Sequence, residues 1–275
     1  MLTYNQSQAS FSPRQFSSTR MEQYFLPKTV PVMAHVLWSA GGIVALFCIV
    51  LQIFLFLPVG LSLLFLGISW IVVTKRSNPT DQQYDQWIET QANALLLDTL
   101  ATLDLYEHQL TGKIKRIRSF VLPGSEIADN YRSNEVLVKR GRDGRWRCSI
   151  NVCTYFIPTA YGVAMVTRDV NVFQQSSYIW QNEEYSYPHI VSAAMCTIQD
   201  TAYIERERYW YRIKQICVNI SNGEVIPFGA YFSATPIDDD PYAPDFSLPD
   251  IVMNQTINDL RRTLRTRNPR NPRGN

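Results

Sequence analysis

Between Thr29 and Thr74 the chain has no Asp, Glu, Lys or Arg. That absence excludes an ordinary soluble helix pair, because helices on a globular core keep a polar stripe. One bilayer crossing takes roughly 20 apolar residues, and this run has room for two. Other absences narrow the chemistry. No Gly-rich phosphate loop, HExxH pattern or EF-hand loop occurs in the 275 residues. The five cysteines (Cys48, Cys148, Cys153, Cys196 and Cys217) form no CxxC pair and show no metal-ligand spacing. A scattered, odd set predicts reduced, buried thiols. Histidine is confined to His35, His108 and His189. His108 or His189 beside Cys153 or Cys196 is the one arrangement that could support nucleophilic catalysis, and nothing in the spacing links them. The sequence therefore predicts no catalytic, cofactor-binding or metal-ligating residues.

What is present describes a membrane anchor. Residues 1–28, rich in Ser and Gln, read as a disordered tail. The apolar run begins about thirty residues in and no small-residue cleavage site follows it, unlike a signal peptide. Residues 29–76 read as a transmembrane helical hairpin. A first helix is expected over 31–57, an interruption at Pro58 and Gly60, and a short second helix reaching Thr74. Gly41, Gly42, Gly60, Ser62, Gly67 and Ser69 are small enough to let two helix backbones approach in lipid. His35 and Gln52 lie within the spans but suggest no ion path. Arg14, Arg20 and Lys28 precede the hairpin, and Lys75 and Arg76 follow it. By the positive-inside rule, Lys28, Lys75 and Arg76 place both termini on the cytoplasmic side.

Residues 77–235 read as a cytoplasmic α+β domain. Asn78-Pro79-Thr80-Asp81 is a helix start. Tyr84, Ile88, Ala92, Leu95, Leu96, Leu103, Tyr106 and Leu110 recur at helical spacing, with Asp81, Asp85, Glu89 and Asn93 opposite. A long helix ending near Gly112 is expected to cover a sheet. The period then changes to two. Strands are expected over 135–140, from Trp146 to Pro158, over 163–173 and over 189–198, with Asp143-Gly144 as a hairpin turn. The segment 203–220 is ambiguous between helix and strand. Read as a strand, it is followed by the turn Asn222-Gly223 and a partner strand over 224–232. The fold class is α+β: the transmembrane hairpin, then a long helix packed on a mainly antiparallel β-sheet.

Residues 236–275 read as an acidic, Pro-rich loop, a short helix over 251–267 and an Arg-rich tail. Asp238, Asp239 and Asp240 lack the alternating ligand pattern of calcium loops and read as a solvated acidic loop. Two groups of cations are candidate contacts for an anionic partner. The first, Arg206, Arg208, Trp210, Arg212 and Lys214, interleaves cations with an aromatic ring on one strand face. The second is Arg261, Arg262, Arg265 and Arg267. For a membrane-tethered chain, anionic lipid is the economical partner, with other protein subunits next and nucleic acid disfavoured. The function expected is a non-enzymatic adaptor or scaffold. The alternatives are a subunit of a secretion, transport or cell-envelope machine, and an enzyme acting on a membrane-associated substrate through a Cys/His site.

Overall fold

The computed structural model describes residues 18–51, 54–106, 109–174, 177, 179–237 and 243–267. The sequence-based readings of residues 1–17, Gln52, His108, the Asp238–Asp240 run and the tail from residue 268 fall outside these. The chain divides into two compact units, Met1–Tyr84 and Asp85–Asn275.

The first unit contains α1 (Ser18–Phe25), α2 (Val32–Val50) and α3 (Leu57–Ser77). α2 and α3 are each long and apolar enough to cross a membrane. The break between them falls earlier than Pro58 and Gly60. α2 ends at Val50, a 3-10 turn spans Phe54–Phe56, and Pro58 stands in the first turn of α3, where its missing N–H forfeits no hydrogen bond. α3 thus gains length at its start and reaches 21 residues, about 31 Å at 1.5 Å per residue. Residues 18–25, assigned to the tail from composition, are helical instead. Met21 and Tyr24 of α1 are buried. Tyr24 stacks on Tyr84 with ring centroids 4.7 Å apart and donates its hydroxyl to Asp81 at 2.8 Å. The Lys28 backbone N–H donates to Asn78 Oδ1 at 3.2 Å. Chain entering α2 therefore touches chain leaving α3.

α4 (Asp81–Thr102) starts at a capping box. The Thr80 N–H donates to Gln83 Oε1, and the Gln83 N–H donates back to Thr80 Oγ1. The helix stops at Thr102, ten residues short of Gly112 (102 against 112), and Leu97 and Tyr106 are exposed.

In the second unit the strands are β1 (Lys115–Phe120), β2 (Val138–Arg140), β3 (Trp146–Cys148), β4 (Ile150–Pro158), β5 (Gly162–Asn171), β6 (Ile179–Ser186), β7 (Ile190–Ile204), β8 (Glu207–Ile220) and β9 (Val225–Pro236). β2 and β3 form a small hairpin. The other seven make one curled antiparallel sheet in the order β6-β5-β4-β1-β9-β8-β7. The expected turns at Asp143-Gly144 and Asn222-Gly223 are present, with Gly144 and Gly223 both at positive φ. The ambiguous segment 203–220 is extended, but a tight turn divides it. Glu205 and Arg206, at φ 52° and 75°, carry the chain from β7 into β8.

Curvature comes largely from β9. Lys214 pairs with Ser233 but Ile216 pairs with Phe228, so β9 carries extra residues between the two pairs. Such a bulge bends a strand. Gly229 makes it possible: its φ is +76°, and a Cβ there would lie 2.9 Å from Ser119 Oγ and Thr154 Oγ1.

The hollow of the curled sheet is filled by α5 (Asp250–Arg267). Met253, Ile257, Leu260 and Leu264 join Ile117, Phe156, Met165, Ile216 and Phe228 in one buried cluster. α4 contributes no residue to that cluster. Its polar side chains, which the helical period assigns to solvent, hold arginines of the strands. Arg147 gives two hydrogen bonds to Asp85, at 2.9 and 2.7 Å. Arg116 bonds Glu89 and Asn93, and Arg168 bonds Asp98. The Tyr155 hydroxyl donates to the Ala92 carbonyl.

Candidate functional site

In the hairpin, Gly41, Gly60 and Gly67 lie where α2 and α3 come closest. A Cβ on Gly67 would lie 2.6 Å from the Trp38 nitrogen, and one on Gly60 would lie 2.8 Å from the Ala45 nitrogen. One on Gly41 would lie 2.8 Å from the Gly60 carbonyl oxygen. These pairings run in opposite directions along the two helices, which are therefore antiparallel. Gly42 has more room, with Leu64 Cδ1 3.5 Å from its Cβ position. Ser62 and Ser69 are exposed, and Ser62 Oγ donates to the Pro58 carbonyl within its own helix at 2.7 Å. His35 is exposed, as are Lys28, Lys75 and Arg76 beyond the two spans.

The two groups of candidate anion contacts occupy different places. Arg206 sits in the β7–β8 turn. Arg208, Trp210 and Arg212 are exposed along one face of β8, with Lys214 half-buried after them. The Arg208 guanidinium lies 5.0 Å from the Trp210 ring centroid and 5.8 Å from that of Tyr203, within cation–π range. Arg261 donates through Nε to the Ala193 carbonyl at 2.8 Å, so part of its donor capacity serves the fold. Arg262 and Arg265 are exposed, and the side chain of Arg267 lies outside the described residues. Ala193 and Ile204 stand at opposite ends of β7, about 36 Å apart at 3.3 Å per residue. The fold keeps the two groups separate.

Among the described residues, no hydrogen bond joins His189 to Cys153 or Cys196, and His108 lies outside them. Cys196 and Cys217 are joined as a disulfide across β7 and β8, which corrects the expectation of thiols throughout. The antiparallel register sets Cys196 against Gln215 and Cys217 against Ala194, so the two cysteines are diagonal neighbours. That relation depends on the turn at Glu205–Arg206, which has no Gly or Asn to announce it. Cys148 and Cys153 are buried, and burial pushes both thiols up, away from the reactive thiolate. His189 is exposed at the start of β7, and its carbonyl accepts the Ser221 N–H at 2.8 Å. Among the described residues, no three His, Cys, Asp or Glu side chains are grouped to hold a metal.

A cationic group without a sequence signal lies on β1 and beside β3. Arg116, Arg118, Arg145 and Arg147 line a single cleft. The available sign was period-two spacing: Arg116, Arg118 and Phe120 share one parity and Lys115, Ile117 and Ser119 the other. The chain matches no protein-family model, no curated protein and no solved structure.

Proposed function

We propose that this protein is a membrane-anchored, non-enzymatic adaptor or scaffold subunit. The α2–α3 hairpin holds a β-rich domain at the cytoplasmic face of the bilayer, where it recruits or assembles other protein subunits. The observation that carries this reading is the hairpin itself. Gly41, Gly60 and Gly67 are used up between its own helices, while Val32, Ile43, Leu46, Phe47, Phe65 and Leu66 point outward. An apolar surface of that kind is matched to lipid. The contacts at its base, Tyr24 with Asp81 and Lys28 with Asn78, support both ends lying on one side. The flanking Lys28, Lys75 and Arg76 favour the cytoplasmic one. We also read α4 as a cover on the sheet that buries Trp87, Ile88 and Ala92 and is clamped through Arg147, Arg116 and Arg168.

Alkaline carbonate extraction of membranes tests the anchor: the protein should stay with the pellet. Tags at the two ends should both be accessible from the cytoplasmic side. Cys196 and Cys217 add a reading of compartment, since cytosolic reductants keep thiols reduced. A cytoplasmic domain predicts that the bond between them is reduced in the cell, so alkylation during lysis in denaturant, which uncovers the buried Cys217, should label both. Full protection of the pair, or opposite-sided tags, would refute the cytoplasmic placement. Affinity purification in mild detergent at native expression should recover partner subunits, and a lone monomer would count against the adaptor role. A second reading, a subunit of a multi-protein transport or envelope machine, is favoured by Ser62 and Ser69. They are seven apart and exposed on α3, where small polar residues suit contact with further helices.

A further inference from the structure

β1 is paired with β4 along its whole length, but its strand pairing with β9 is confined to Phe120 and Tyr231. Beyond that point the strands part. The end of β9 turns to a different partner: Ala234 bridges Phe246, and the Leu248 N–H donates to Ser233 Oγ at 3.0 Å. The opening between β1 and the segment 245–256 is a cleft of about 760 Å³. That volume falls within the range of small-molecule sites, about 300–1,000 Å³.

The walls have two characters. Phe120, Trp146 and Phe246 form an aromatic group, with Phe246 5.3 Å from Phe120 and 6.0 Å from Trp146 between centroids. The cations differ in how far they are already engaged. Arg147 is held by Asp85 and Asp143, and Arg116 by Glu89 and Asn93. Arg118 gives only Nε to Asn151 Oδ1, at 2.9 Å, and is exposed. Arg145 is also exposed, and neither guanidinium forms an ion pair among the described residues, although Asp143 accepts the Arg145 backbone N–H at 3.1 Å and lies within reach of its charge. The other lining carboxylate, Asp245, accepts from the Ser247 N–H and hydroxyl at 2.8 and 2.9 Å. Two guanidinium forks therefore stand outside any ion pair beside an aromatic wall. Such forks match the geometry of phosphate and carboxylate oxygens.

We propose that this cleft binds an amphiphilic anion: a phosphate-monoester or carboxylate head on Arg118 and Arg145, and a flat or acyl body against Phe120, Trp146 and Phe246. The site is independent of the anchor reading, which stands or falls by membrane extraction. Two sources have this chemistry, a single-chain lipid and a soluble aryl phosphate.

Calorimetric titration of the full chain in nanodiscs tests the site. The probes are lysophosphatidic acid, 1-naphthyl phosphate, inorganic phosphate and 1-naphthol. One of the two amphiphiles should bind at least tenfold more tightly than both inorganic phosphate and 1-naphthol, and the tighter amphiphile identifies the source. Arg118→Gln and Arg145→Gln together should weaken that binding at least tenfold with an unchanged melting temperature. The pair Arg208→Gln and Arg212→Gln, on the other face, should leave it within twofold. The proposal is overturned if neither amphiphile binds, if naphthol or phosphate alone binds as well, or if the β8 variants rather than the cleft variants abolish binding.

Discussion

Replacing Gly67 with isoleucine should loosen the hairpin without changing its apolar surface. The first added carbon would lie 2.6 Å from the Trp38 nitrogen and 2.9 Å from the Ala34 carbonyl oxygen. Comfortable contact begins at about 3.5 Å, so α2 must retreat by roughly 1 Å. Both obstacles are backbone and cannot swing aside. Overpacking of this kind costs typically about 1–3 kcal/mol, and the upper part of that range applies here. At about 1.4 kcal/mol per decade, the open form should become roughly 10–100-fold more populated. Cys48 reports the opening, because it is only 5% exposed in the closed pair. Labelling by methyl methanethiosulfonate in detergent, followed by peptide mass spectrometry, separates it from Cys148 and Cys153. When closing outpaces labelling, the rate follows the open population. Cys48 labelling should rise by that factor in Gly67→Ile and stay within twofold in Ser69→Ile, because Ser69 is exposed. Equal effects of the two substitutions would refute the packing described for α2 and α3.

The β9 bulge gives a similar contrast. Gly229→Ala meets both a positive φ and two hydroxyls, whereas Gly144→Ala meets the positive φ with nothing within 4 Å. The left-handed backbone alone costs about 1–2 kcal/mol, so denaturant titration should show Gly229→Ala as clearly the more damaging; equal losses would contradict the bulge. Leu260→Ala, at a position 2% exposed, should cost about 2–5 kcal/mol. Ile251→Ala, at 66% exposed, should fall within about 0.5 kcal/mol, and similar losses at both would mean that α5 does not fill the sheet. Acid should also weaken the second unit. Hydrogen bonding by Arg147 holds the Asp143 carboxyl well below the usual carboxylate range, and Lys115 lowers Asp259 in the same way. Carboxylates depressed by folding add stability above their unfolded value of about 3.9, and lose it as pH falls through the folded value. The melting temperature should therefore drop below about pH 4, less steeply in the Asp143→Asn, Asp259→Asn double variant; an unchanged acid slope would remove these two groups from the account.

The two apolar helices were the most legible part of the chain, because an uncharged run has few alternatives in water. The α+β class and the Asn222-Gly223 and Asp143-Gly144 turns were legible for the same kind of reason: local chemistry decided them. What resisted reading depended on distant partners. β1 reads as a run of Lys and Arg until Glu89 and Asn93 are seen to receive Arg116. β6 is polar on an edge, and its Glu183 and Glu184 are exposed, so it offers little alternation. The division of labour between the helices was also hidden. α4 has the stronger apolar count, yet Met253, Ile257, Leu260 and Leu264 of α5 share the hollow of the sheet. The cleft between β1 and the segment 245–256 was invisible because it arises from two strands parting, an event with no residue of its own.

Because α5 supplies one wall of the buried interior, the second unit stays unfinished until Leu264 has left the ribosome. α3 ends at Ser77. At about 5–20 residues per second, synthesis of the intervening stretch takes roughly 10–40 s. Through that interval the concave side of the sheet lacks its apolar cover. Slowing elongation before α5 should therefore leave the nascent sheet open to proteases and aggregation.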